Sequence, residues 1–200
     1  VDVLLGPEMK STGEVMRMAV DFPTAFLKAQ QGAGAVVPSS GRAFVSVRDE
    51  HKEAALAIAR DLASLGFEIV ATSGTRAMLE ARGVSATHVY KVTEGERPHI
   101  VDRMEADEID FVLNTTFGKQ SRQDSFSLRR TSLLRNIFYC TTIQAAQAAV
   151  GAIRSLHGGR VGVRSLQDYN SGAAPTGTVP TGMATNGAVP PTGADDALDR

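Results

Sequence analysis

From Arg42 onward, short apolar runs alternate with stretches whose apolar residues recur every three or four positions. Ala43-Phe44-Val45-Ser46-Val47 is predicted as a strand, and residues 49–65 as a helix carrying Ala55, Ile58, Ala59, Leu62 and Leu65 on one face, with Gly66 just past its end. A second strand over 67–71 leads into a second helix over 75–81, which stops near Gly83. Residues 87–92 read as a third strand and 100–106 as a short helix after Pro98. Phe111-Val112-Leu113 is a fourth, wholly apolar strand that ends in Asn114-Thr115-Thr116. A basic helix over 125–134, a fifth strand over 137–140, and an Ala-rich helix over 142–156 capped by Thr141 follow, with a last short strand at 161–163.

Five strand–helix alternations at short spacing predict an α/β fold, a doubly wound and mainly parallel five-stranded sheet covered by helices on both faces. Ligands of such sheets lie in the crevice beyond the strand C-termini. The residues just past the strands are 48–52, 72–75, 91–94, 114–118 and 141–142. They include Lys52 and Lys91, many hydroxyls and amides, and few carboxylates that a ligand would need. That set suits a phosphate.

One stretch sharpens the expectation. In FEIVATSGT, residues 67–75, an apolar strand empties into Thr72-Ser73-Gly74-Thr75 at the start of a helix. Unpaired N–H groups and the positive end of the helix dipole both favour an anion there. The same residues also fit a plain Ser/Thr helix cap with no ligand.

Before Arg42 the pattern is weaker. Residues 22–30 can form a helix with Phe22, Phe26 and Ala29 on one side, a face for which the neighbouring residues supply no partner. Residues 32–41, GAGAVVPSSG, have linker composition, and a boundary is placed there. The last thirty residues are rich in Ala, Gly, Thr and Pro, bury too little apolar surface to offset chain entropy, and read as a disordered tail.

Composition narrows the function classes. A net charge of −1 gives no general attraction to nucleic acid or anionic membrane. The single cysteine, Cys140, excludes an internal disulfide framework and fits a reducing cytoplasm. His51, His88, His99 and His157 show no metal-ligand spacing. Asp102 and Glu105 read as a solvated helix face, and Arg129-Arg130 with Arg135 as an exposed basic one. The chain opens at Val1 in mid-pattern and reads as a piece of a longer protein.

The order of these pieces resembles a known family. Leu5 to Met16, LGPEMKSTGEVM, is similar to the end of the second ATP-grasp half of the carbamoyl phosphate synthetase large subunit. Residues 42–168 resemble the methylglyoxal-synthase-like regulatory domain that follows it. The matching residues are Ser46-Val47-Arg48 with Lys52, Ala71-Thr72-Ser73-Gly74-Thr75, Lys91-Val92 with Glu94-Gly95, Arg97-Pro98-His99-Ile100, Asn114-Thr115-Thr116 and Thr141-Thr142. The resemblance implies a division into residues 1–31 (ATP-grasp end), 32–41 (linker), 42–168 (regulatory domain) and 169–200 (tail).

It further implies that the whole enzyme makes carbamoyl phosphate from bicarbonate, glutamine-derived ammonia and ATP, for arginine and pyrimidine biosynthesis. ATP and Mg or Mn would act upstream, so this piece has no cofactor and no catalytic residue of its own. Its partners would be a nucleotide monophosphate effector (UMP or IMP), the rest of the large subunit and the glutaminase small subunit, in an oligomer. Carried over by position, Lys52, Thr72, Thr75 and Lys91 would hold the effector phosphate, and Ser46, Ser73, Gly74, Asn114 and Thr116 would complete the pocket. Tyr139 and Thr141 match an interdomain ornithine-type site, although Cys140 stands between them where an acid is common. Two rivals stay open. A methylglyoxal synthase acting on dihydroxyacetone phosphate needs a carboxylate base beside the phosphate, but proline lies near its place in Gly95-Glu96-Arg97-Pro98. A structural oligomerisation domain would not depend on the lysines at all.

Overall fold

In the computed structural model of the protein, residues 15–115, 119–159, 161–162, 165–171 and 178–179 are described. A five-stranded sheet runs in the order β3-β2-β1-β4-β5, with every pairing parallel. Its strands are β1 (Gly41–Val47), β2 (Phe67–Ala71), β3 (Thr87–His88), β4 (Phe111–Thr115) and β5 (Phe138–Cys140). The order reverses between β1 and β4, which makes their C-terminal ends the switch point of a doubly wound sheet.

Alternate strand residues feed two separate cores. Ala43, Val45, Ile69, Ala71, Phe111 and Leu113 point to one face, with α1 (Phe22–Gly32), α2 (Lys52–Ser64) and α6 (Ile143–His157). Phe44, Val70 and Val112 point to the other, where α4 (Ile100–Glu105) supplies Ile100 and Met104 and α5 (Lys119–Leu134) supplies Leu128. Burial on both faces is why these strands read as continuous apolar runs rather than as alternating ones. Each fully buried large apolar side chain contributes about 1.5–3 kcal/mol.

The expected first helix is α1, with its partner in α6: Leu27 is fully buried in the first core, and Pro23 lies where a side chain on Gly151 would point. Asp21 caps α1 by accepting the Thr24 N–H at 2.8 Å. Tyr169 of α7 (Leu166–Ser171) donates to the Met18 carbonyl at 3.0 Å, tying α7 to the segment that leads into α1. Val37, within the stretch of linker composition, is also buried in the first core.

Several boundaries differ from the sequence-based expectation. The third strand is only Thr87–His88, with an isolated bridge from Tyr90 to His99. Glu94 turns back to accept the Lys91 N–H at 2.9 Å and Gly95 takes a left-handed φ of 74°, so a 3₁₀ turn replaces the strand end. The cap of α6 is Thr142 rather than Thr141; its hydroxyl accepts the Ala145 N–H at 3.1 Å. The last short strand, β6 (Val161–Gly162), does not join the main sheet but pairs antiparallel with β7 (Thr178–Val179). Those two β7 residues are therefore paired, within a segment expected to be disordered. Residues 169–171, also assigned to the disordered tail, are instead the helical end of α7; the remaining tail residues, and residues 1–14 of the ATP-grasp resemblance, lie outside the described residues.

Candidate functional site

The rim begins at α3 (Ser73–Ala81), directly after β2. Thr72 is its N-cap, with extended backbone angles, yet its side chain makes no capping hydrogen bond. Its carbonyl accepts the Arg76 N–H at 2.8 Å, which starts the helix, but nothing on Thr72 takes up the amides that precede it. The plain-cap reading therefore lacks its defining bond. Thr72 and Thr75 are both buried, while Ser73 and Gly74 face solvent. A Cβ added at Gly74 would meet nothing within 4 Å, so the space over the helix start is open.

Thr75 reaches from α3 to the neighbouring strand, where its hydroxyl accepts the Val47 N–H at 3.5 Å. Ser73 Oγ lies 2.8 Å from His88 Nε2, and the His88 ring meets Tyr90 edge-on at 4.7 Å. The turn after β2 is thus held from both sides, by the ends of β1 and β3.

At the switch point Ser46 stands opposite Asn114 in the β1–β4 register. Asn114 is 2% exposed; its Nδ2 donates to Tyr139 Oη at 3.0 Å, and its buried Oδ1 has no partner. Tyr139, expected at a separate site with Thr141, is joined directly to the expected pocket residue Asn114. Thr141 is exposed beyond β5. Burial pushes the Tyr139 hydroxyl above its ordinary value, and the bonds from Asn114 and Arg129 only partly oppose this. Thr116 lies outside the described residues.

The two lysines differ. Lys52, in the first turn of α2, is partly covered and bonded to Asp49 Oδ1 at 2.7 Å. That contact holds the Asp49 carboxyl below its ordinary value, and an incoming anion would compete with it. Lys91 is exposed, and its ammonium has no ion pair among the described residues.

Three contributors escaped the sequence reading. His51 occupies the switch point between Arg48 and Thr115. Arg48 can only donate, so His51 Nε2 accepts its N–H at 3.1 Å, and Nδ1 carries the proton donated to Thr115 Oγ1 at 2.9 Å. Glu50 pairs with Arg48 on the outer side. Arg129, read as exposed, is half-buried on α5 and bonded to Tyr139, with its Nε enclosed and unpartnered. Asp102, read as solvated, accepts the His99 N–H at 2.8 Å and pairs with Arg97 at 3.2 Å, so its carboxylate is engaged in capping α4. The nearest available signal was position: His51 adjoins Lys52, and Arg129 lies on the helix that leads into β5.

Cys140 is 3% exposed, and burial pushes its thiol from 9.0 up to about 12. A raised folded value favours the neutral thiol in the folded state, so this contribution is complete below pH 9 and declines as pH rises toward 12. Unfolding midpoints between pH 8 and 10.5 should fall less in Cys140→Ala than in the parent chain. An alkylating reagent at pH 8 should label Cys140 only after denaturation; rapid labelling of the folded chain would contradict its enclosure.

Elsewhere, a shallow cleft lined by Arg60, Phe67, Glu68 and Thr87 lies at the opposite end of β2, away from the strand C-termini. Among the described residues no three His, Cys, Asp or Glu side chains gather as a metal site would require. No described helix is long and apolar enough to cross a membrane.

Residues 54–141 match the MGS-like domain family. The chain is 54% identical over 179 residues to a carbamoyl phosphate synthase large chain of Myxococcus xanthus, an alignment covering 89% of this chain and 16% of that protein. It is 52% identical over 172 residues to the large chain of Pseudomonas syringae pv. tomato, covering 86% and 16%, and 50% identical over 169 residues to that of Brucella suis, covering 84% and 14%. The chain thus spans about one-sixth of the length of these relatives. Taken with the parallel sheet and its switch-point crevice, these matches identify the chain as carrying an MGS-like domain, similar over most of its length to the C-terminal region of carbamoyl phosphate synthase large chains.

Proposed function

We propose that this chain is the effector-binding region of a carbamoyl phosphate synthase large chain, and that its switch-point crevice takes a nucleotide monophosphate such as UMP or IMP. The observation that carries the reading is the start of α3: buried Thr72 at the N-cap with its side chain unused for capping, open space above Gly74, and hydroxyls of Ser73 and Thr75 beside it. Lys52 and Lys91 supply charge, and Ser46, Asn114 and Thr116 complete the pocket beyond the phosphate. Residues 1–31 would then be the end of the ATP-grasp half. ATP and Mg or Mn would bind elsewhere in the large chain, and a glutaminase subunit would be its partner in the cytoplasm.

Regulation requires that the effector bind one conformation of the whole enzyme more tightly than another, typically by about 1–3 kcal/mol. The ornithine-type reading of Tyr139 and Thr141 would add a second ligand near β5, although burial of Tyr139 on Asn114 favours a role in the first pocket. A methylglyoxal synthase reading is less well supported, because Asp102, the carboxylate just after the Arg97-Pro98 turn, is occupied by backbone and Arg97.

Calorimetric titration with UMP and IMP tests the proposal. Each charge-assisted phosphate contact is worth about 1.5–3 kcal/mol. The Lys52→Ala/Lys91→Ala variant should therefore bind at least about 100-fold more weakly while unfolding at a similar temperature. Undiminished binding in that variant would remove the phosphate assignment, and methylglyoxal formation by the parent chain would replace the effector reading with an enzymatic one.

A further inference from the structure

Beyond the phosphate end, three side chains from three elements meet at one hydroxyl. Asn114 of β4 donates Nδ2–H to Tyr139 Oη at 3.0 Å, and Arg129 of α5 bonds the same Tyr139 side chain. Two atoms of this cluster are enclosed without a partner: the acceptor Asn114 Oδ1 and the donor Arg129 Nε. Arg129 also has no ion pair among the described residues. Leaving a buried polar group unmade costs about 1–3 kcal/mol, and more when the group is charged. An orphaned acceptor and an orphaned donor, on two side chains that share Tyr139 as a partner, therefore suit a ligand group that both gives and takes a hydrogen bond.

A vicinal diol has that chemistry. One hydroxyl can donate to Asn114 Oδ1 while its neighbour accepts from Arg129 Nε. The cluster sits at the C-terminal end of β4, where Ser46 adds a further hydroxyl from the adjoining strand. We propose that Arg129 is a further ligand-binding residue, which with Asn114 recognises the ribose 2′,3′-diol of the effector, and that Tyr139 is the positioning residue that orients both. This rests on the nucleotide reading given above. Tyr139, kept neutral by burial, fixes the amide so that its carbonyl oxygen is the atom left for the ligand. Because both orphaned atoms are closed to solvent, ligand entry has to displace what covers them.

The test compares UMP with its 2′-deoxy and 3′-deoxy analogues on the full chain by calorimetry, with inorganic phosphate as a competitor that reports the phosphate end alone. The parent chain should bind at least one deoxy analogue about 10–100-fold more weakly than UMP. Arg129→Met, and Arg129→Lys as the variant that keeps charge without the Nε–H, should weaken UMP until that ratio approaches one, with phosphate competition unchanged. Equal binding of all three nucleotides by the parent chain would overturn the proposal whether or not the variants fold. A ratio that persists in the Arg129 variants would also overturn it, leaving the cluster as packing or a bridge through buried water. Failure of the parent chain to bind any nucleotide would overturn the effector reading and this inference together, an outcome distinct from binding without preference.

Discussion

Phe111→Ala should lower the stability of the folded chain by about 3–5 kcal/mol. Phe111 is fully buried in β4, pairs in register with Ala43 on one side and Phe138 on the other, and stacks on the Phe138 ring at 5.9 Å. Its register neighbour Ala43, and Ala146 and Ala149 of α6 in the same core, are small. They cannot extend into a vacated ring volume, so a cavity would remain and its cost would add to the lost transfer free energy. Domains of this kind are stable by only about 5–15 kcal/mol, so the loss is a large fraction of the total. Urea unfolding should show a lowered midpoint with an unchanged slope. A loss under about 1.5 kcal/mol would mean that the helices close over the gap and that the centre of the sheet is not tightly packed.

Gly41→Ala should destabilise by about 2–4 kcal/mol through a different cause. Gly41 opens β1 at a φ of +117°, in the region that side chains avoid. A Cβ there would sit 2.0 Å from Asp110 Oδ2. That same oxygen accepts the Arg42 N–H at 2.7 Å, while the Asp110 N–H donates to the Arg42 carbonyl at 2.9 Å. The methyl group would therefore push aside the clamp that fixes the start of β1 against β4. Adding Asp110→Ala removes the clash with the carboxyl group but leaves the close approach of the Asp110 Cβ at 3.1 Å, the backbone strain and the lost bond, so thermal unfolding of the double variant should recover only part of the loss. Full recovery would show that neither the φ at Gly41 nor the bond from Asp110 to the Arg42 N–H contributes much.

Much of the site was legible because it follows from strand order along the chain. The residues after each strand can be named without coordinates, and Thr72 and Thr75 fall where that rule puts them, whereas Ser46 and Asn114 are the penultimate residues of β1 and β4 themselves. The strand expected to run through Lys91 ends at His88, four residues short of its expected end, and Lys91 instead opens a turn closed by its local contact with Glu94. Arg129 was misread because three basic residues on one polar helix look solvated, and nothing local reveals that one of them turns inward to Tyr139. His51 was passed over as a histidine without metal spacing. Its role comes from Thr115, 64 residues away.

Local sequence patterns were enough for the α/β class, the five strands and the hydroxyl-rich turn at 72–75. These depend on local periodicity, on glycine and proline punctuation, and on hydroxyl-bearing turn residues, all of which act within a few positions of the chain. The order β3-β2-β1-β4-β5, the seating of α1 on α6, and the joining of Asn114, Tyr139 and Arg129 at one hydroxyl emerge at the level of the folded chain. Those arrangements pair groups distant in sequence, and their free energy comes from burying facing surfaces and satisfying, or leaving unsatisfied, polar atoms that no local pattern relates.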